Sequence, residues 1–101
     1  MEDITVDELR RRMMQGEQLH IVDVREEWEY DEFNIGAKLI PLAELPQHME
    51  YLNQFRNQEL ILHCRSGGRS GQAKQFLASQ GFTGVRNLLG GMLEWQRTEQ
   101  V

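Results

Sequence analysis

Cysteine is nearly absent from this chain: Cys64 is the only one among 101 residues. No internal disulfide can form, so the fold must rest on its core, and the composition fits a reducing compartment. No apolar run approaches the roughly 20 residues of a membrane span. The acidic start, Met1-Glu2-Asp3, is not followed by the apolar stretch of a signal peptide. Together these absences lead us to expect a cytoplasmic protein with no membrane partner. An excess of basic residues is also missing. The net charge is -5, which argues against nucleic acid, because phosphate binding calls for a basic face. The histidines, His20, His48 and His63, are scattered without ligand spacing beside Cys64, so no metal and no cofactor is expected. His20 and His63 sit within apolar stretches and read as satisfied core or edge histidines. Repeats, low-complexity tracts and linkers are absent, so residues 1–101 read as one domain, expected to be a monomer.

What is present is ordinary in amount and uneven in placement. Apolar residues at 40% and charged residues at 27% suit a soluble globular chain. Residues 63–80 carry Arg65, Arg69 and Lys74 and no carboxylate, whereas residues 26–32 carry five carboxylates and no base. The five read as a solvated helix face, and Met13-Met14 and the two tryptophans as packing residues. A locally basic segment in an acidic protein favours a small anion at that place.

The hydrophobic pattern alternates between strand-like and helix-like segments. Strands are predicted at Ile4-Thr5, 19–24, 38–41, 59–63 and 85–88. Residues 19–24 and 59–63 are apolar on both faces, as buried parallel strands are. Helices are predicted at 7–15, at 26–33, at 43–55 with Pro46 in its first turn, from Ser70 or Gly71 to about Gly81, and from Met92 onward. Such alternation argues for an α/β layered fold around a mostly parallel sheet. Ligands bind such sheets beyond the carboxyl ends of the strands. Asp23, Cys64 and Asn87-Leu88 fall there.

The segment His63-Cys64-Arg65-Ser66-Gly67-Gly68-Arg69-Ser70 follows the apolar run Leu60-Ile61-Leu62 and precedes a helix. A Gly-rich turn can aim consecutive amide N–H groups inward as an anion-binding nest, and the helix start adds its positive end. Gly67 and Gly68 permit positive φ. Ser66 and Ser70 can donate hydroxyl hydrogen bonds, and Arg65 and Arg69 can offer planar forks to an oxyanion. Cys64 would lie at the floor of this cradle with a depressed pKa, as a thiolate nucleophile. A buried structural thiol with solvated arginines is the competing reading of the same residues.

Three segments in register resemble one family. Ile21-Val22-Asp23-Val24-Arg25-Glu26 with Trp28-Glu29-Tyr30, the Cys64 loop, and Val85-Arg86-Asn87-Leu88 with Gly90-Gly91 and Trp95 resemble the signatures of rhodanese domains. The resemblance implies a rhodanese-like α/β fold with a five-stranded parallel sheet and helices on both faces. It also implies a sulfurtransferase. Cys64 would take a sulfane sulfur from thiosulfate or a persulfide donor, become a persulfide, and pass the sulfur to cyanide or a thiol acceptor, including a protein thiol. Cys64 would be catalytic, and residues Arg65, Ser66, Gly67, Gly68, Arg69 and Ser70 would bind substrate. Arg69 would also be tied into the loop, and Asp23 and Arg25 would organise the site. Related phosphatases have one more residue between cysteine and arginine. Here four residues separate Cys64 from Arg69, which suits a single sulfur atom better than a phosphate. Phosphatase or arsenate reductase activity, and a non-catalytic sulfur or redox sensor that binds a protein partner, are the alternatives. One departure stands out. Asn34-Ile35-Gly36-Ala37 has asparagine where the family has histidine and is one residue shorter, which puts the turn geometry there in question.

Overall fold

The computed structural model describes residues 1–99. Its strands are β1 (Ile21–Asp23), β2 (Lys38–Leu39), β3 (Leu60–His63) and β4 (Val85–Asn87). Its helices are α1 (Val6–Met14), α2 (Glu27–Glu32), α3 (Met49–Leu52), α4 (Gly68–Ser79) and α5 (Gly91–Glu99). The sheet order is β2-β1-β3-β4, and every pair is parallel. Among the described residues the sheet therefore has four strands, not five. At the place of the fifth, Ile4 alone bridges Leu88 in parallel. Pairing stops there because Thr5 already caps α1, its hydroxyl accepting the Glu8 amide at 3.1 Å.

Alternation along β3 divides the interior. Leu60 and Leu62 join Val22, Val85, Leu52 of α3 and Ala73 and Leu77 of α4 in one core. Ile61 joins Val6 and Leu9 of α1 and Met92 and Trp95 of α5 in the other. Both faces are thus covered, which is why β1 and β3 read as continuous apolar runs.

Residues 43–55 do not form one helix. Leu42–His48 is a 3-10 helix, α3 follows for one turn, and Asn53–Phe55 is again 3-10. Pro46 supplies no amide hydrogen and its ring crowds the carbonyl four residues back, so the tighter i→i+3 turn replaces α-helix. Helix α4 begins at Gly68, ahead of the predicted Ser70. Gly67 is its N-cap in the left-handed region, φ 109°, a conformation that glycine reaches without strain. The shorter turn at Asn34 closes on itself. Its side-chain carbonyl accepts the Gly36 amide at 2.9 Å, and its amide donates to the Tyr30 carbonyl at 3.1 Å.

Two packing assignments change. Trp95 is buried, but Trp28 is 64% exposed, and Met14 is exposed while Met13 packs on the α1–α5 core. Trp28 stands beside buried Glu29 on α2, the reverse of a hydropathy-led reading. No helix among the described residues is long and apolar enough to cross a membrane.

Candidate active site

The carboxyl ends of β1, β3 and β4 meet at one edge: Asp23 registers with His63, and Leu62 with Asn87. Cys64 leaves β3 here and is 1% exposed. The chain then turns through Arg65, Ser66 and Gly67 into α4. The Gly67 amide donates to Cys64 Sγ at 3.1 Å, the Ser70 amide at 3.4 Å, and the Ser70 hydroxyl lies 3.3 Å away. Burial pushes the Cys64 thiol pKa up. The Ser70 hydroxyl and the Ser70, Gly67 and Ser66 amides outweigh it and hold the thiol below its ordinary value. The start of α5 backs the loop: the Met92 amide donates to the Cys64 carbonyl and the Leu93 amide to the Arg65 carbonyl, each at 3.0 Å. A Cβ on Gly91 would come within 2.5 Å of the Cys64 carbonyl oxygen, so only glycine fits there.

The two loop arginines have different surroundings. Arg69 is bound in a two-pronged pair to Glu29, at 2.7 and 2.8 Å. Glu29 also accepts the Glu26 amide at 3.0 Å. Arg69 holds the Glu29 carboxyl down at about 2 against its burial. Glu29 is therefore a buried tie between α2 and the loop and does not belong to the solvated carboxylate face. Arg65 is exposed and lines a cleft of about 350 Å³ with Arg25, Trp28, Phe33 and Leu93. No ion pair engages it among the described residues. Ser66 and Gly68 are exposed on the loop rim.

Asp23 and Arg25 form a buried pair at the end of β1, beside His63 of β3. Asp23 is fully buried and accepts the Arg25 amide at 2.9 Å and the guanidinium at 2.8 to 3.1 Å. Arg25 also donates to the Phe33 carbonyl at 2.7 Å. His63 is fully buried with its Nε2 3.7 Å from Asp23 Oδ2, beyond hydrogen-bond reach. Neither ring nitrogen has a partner among the described residues, so His63 is not the satisfied core histidine expected. His20 lies outside β1, exposed, with its ring against Phe55.

Sequence reasoning missed two members of the site, Glu29 and the side chain of Asn87. Asn87 Nδ2 donates to the Gly67 carbonyl at 3.1 Å, and the Ser70 hydroxyl lies 2.5 Å from Asn87 Oδ1. The Glu26-x-x-Glu29 spacing at the start of α2 was the one available signal, because it matches the reciprocal bonding of a helix start.

A family model for the rhodanese-like domain matches residues 5–98. The chain belongs to the rhodanese-like domain family. It is 36% identical over 94 residues to the putative sulfur carrier protein YrkF of Bacillus subtilis, covering 92% of this chain and 50% of YrkF. It is 34% identical over 97 residues to the putative sulfurtransferase YtwF of the same organism, covering 95% of this chain and 91% of YtwF. The crystal structure of SSP1007 from Staphylococcus saprophyticus superposes with a TM-score of 0.83 at 38% identity, covering 94% of this chain and 93% of that one. The rhodanese-like fold is thus shared, and the family includes relatives named as sulfurtransferases.

Two predictions arise from this geometry. Burial drives the His63 pKa down to about 4, Asp23 opposing and Arg25 adding to the shift. A depressed folded-state pKa gives stability that is fully present above pH 6.5 and is lost as the pH falls through about 4. The loss is expected to be about 3 kcal/mol in all, most of it between pH 6.5 and 4.5. The urea midpoint should fall between pH 6.5 and 4.5 in the native chain and stay nearly flat there in His63→Leu. Below that range Glu29 and Glu59 take over. Arg69 holds Glu29 at about 2, and Arg12, then Arg86, hold Glu59 at about 2. Their contributions vanish as the pH falls from about 4.5 through 2.

The second prediction concerns Glu29→Gln, which removes the charge opposite Arg69. With Arg69 one-third exposed, the expected loss is about 2 kcal/mol, below that of a fully buried pair. The freed guanidinium would also bind oxyanions more tightly, so the Kd for sulfate should fall. Unchanged stability together with unchanged Kd would contradict this role.

Proposed function

We propose that this protein is a sulfurtransferase that carries one sulfane sulfur on Cys64. The observation that carries the reading is the pair of backbone donors facing Cys64 Sγ, the Gly67 amide within the four-residue loop before Arg69 and the Ser70 amide just after it. A buried thiolate held by amides is poised to attack and is shielded from bulk oxidants.

In the first half-reaction the Cys64 thiolate attacks the outer sulfur of thiosulfate or of a persulfide. A new S–S bond forms to Cys64, the donor's own S–S bond breaks, and sulfite or a thiolate departs with the electron pair. In the second, cyanide or an acceptor thiolate attacks the outer sulfur and releases the Cys64 thiolate. The loop amides receive the charge of the persulfide. Arg65, exposed on the cleft, meets the donor's oxyanion. Arg69, held by Glu29, chiefly fixes the loop. Asp23 and Arg25 organise the site from the end of β1. The proposed partners are a small sulfur anion and a thiol acceptor, with the chain acting as a cytoplasmic monomer that needs neither nucleic acid nor membrane.

The test is initial-rate kinetics with thiosulfate and cyanide. Parallel double-reciprocal lines are expected for two separated half-reactions. Turnover at background, with persulfide nonetheless forming, would replace this reading by the sensor module. Release of phosphate from an aryl phosphate would revive the phosphatase reading.

A further inference from the structure

The Ser70 hydroxyl has one hydrogen and two claimants. It lies 3.3 Å from Cys64 Sγ and 2.5 Å from Asn87 Oδ1. The orientation of Asn87 is fixed by a third contact. The end facing the Gly67 carbonyl at 3.1 Å must be the NH2 group, because a carbonyl only accepts. The end facing Ser70 is therefore the oxygen, which also only accepts. Asn87 itself is held on the last residue of β4, where its amide donates to Asp3 Oδ1 at 2.9 Å.

We propose that Asn87 is a positioning residue that competes with the Cys64 thiolate for the single Ser70 hydroxyl proton and thereby opposes ionisation of the thiol. With Cys64 protonated, the thiol donates to Ser70 Oγ and the hydroxyl donates to Asn87, so every group is satisfied. Once Cys64 is a thiolate, the hydroxyl can serve Sγ only by leaving Asn87 Oδ1 without its donor. The thiolate therefore has the hydroxyl only in competition with Asn87, while the Gly67 and Ser70 amides face it without a rival. After sulfur loading, which rests on the reading of Cys64 as a sulfur carrier, Sγ becomes a neutral divalent sulfur and a weak acceptor. The hydroxyl returns to Asn87. Asn87 thus favours the loaded form over the bare thiolate, and it leaves that thiolate less stabilised and more nucleophilic.

The charged and titratable groups around the thiol are Arg65 and Arg69 with Glu29 of α2, Asp23 and Arg25 at the end of β1, and His63 of β3. Asp3 and Lys74 lie behind Asn87, and Glu94 and Arg97 pair on α5. The variants below leave all of them in place, so a shift reads the hydroxyl.

The experiment is titration of Cys64 by thiolate absorbance, which does not depend on sulfur transfer. Asn87→Ala frees the hydroxyl for Sγ and should lower the thiol pKa by about one unit, the worth of one hydrogen bond to a charged group. In a Ser70→Ala background the same substitution should leave the pKa unchanged. A merely structural Asn87 predicts the opposite sign, because losing the Gly67 contact would misalign the amides and raise the pKa. A rise, or an equal fall in both backgrounds, overturns the proposal. A measurement without any Asn87 variant covers failure of that variant to fold. The Asn87 side-chain amide resonance should shift with the Cys64 midpoint in the native chain, and lose most of that shift in Ser70→Ala. An equal shift in both overturns the proposal. A lowered pKa without persulfide formation would leave this inference standing while removing the sulfurtransferase reading, and the reverse holds as well.

Discussion

Cys64→Ser is expected to reduce thiosulfate-to-cyanide transfer to the uncatalysed rate while leaving the fold intact. A serine hydroxyl ionises far too weakly to act as nucleophile without a general base. The loop contains none: the imidazole next in the chain, His63, is buried and neither of its ring nitrogens makes a hydrogen bond, to Sγ or to any other described atom. The amides of Gly67 and Ser70 that face Sγ would also hold a hydroxyl, so the stability by urea denaturation should fall by no more than about 1–2 kcal/mol at this buried position. Turnover above the buffer rate, measured as thiocyanate release, would mean that another group carries the sulfur.

Arg25→Met is expected to produce the largest loss of stability. It leaves Asp23, with no exposed surface, in contact with its own loop amide but without the guanidinium that now gives it three hydrogen bonds. An uncompensated buried carboxylate costs about 3–5 kcal/mol, a large share of the 5–15 kcal/mol typical of a domain. The Phe33 carbonyl loses its donor as well, which loosens the end of α2 and hence Glu29. Replacing both partners, Asp23→Leu with Arg25→Met, should recover much of the loss, because no buried charge is then left unpaired. Equal destabilisation in the single and double variants, by urea denaturation, would show that the pair's charge is not what matters. Sulfur transfer should remain impaired in the double variant even where stability returns, because the guanidinium that holds the Phe33 carbonyl, and with it the end of α2, is gone.

The parts that were legible in the sequence are those set by neighbours along the chain. The apolar run Leu60-Ile61-Leu62 announced a buried strand, the glycines a turn, and the helix beyond them an anion cradle. The thiol lies where these put it, against the amides of Gly67 and Ser70. What escaped was set across the fold. Glu29 and Arg69 are 40 residues apart, and the one local signal, the Glu26-x-x-Glu29 spacing, marks a helix start without pointing to that pair. Trp28 misleads in the opposite sense, since its hydropathy argues for burial while its place on the cleft rim leaves it in solvent. Asn87 marked a strand end but gave no sign of its side-chain partners, which only the register of β4 against β3 brings together. The 3-10 segment at Pro46 and the single-residue pairing of Ile4 are local failures. In each, one residue, Pro46 or Thr5, diverts the chain from the regular element that its apolar pattern suggests.

Intact mass after incubation with thiosulfate, and in parallel with an organic persulfide, tests the central claim most directly. Addition of one sulfur atom to the native chain is expected, absent from Cys64→Ser and removed by cyanide or a thiol. An unchanged mass with both donors, or the same added sulfur in Cys64→Ser, would contradict the account.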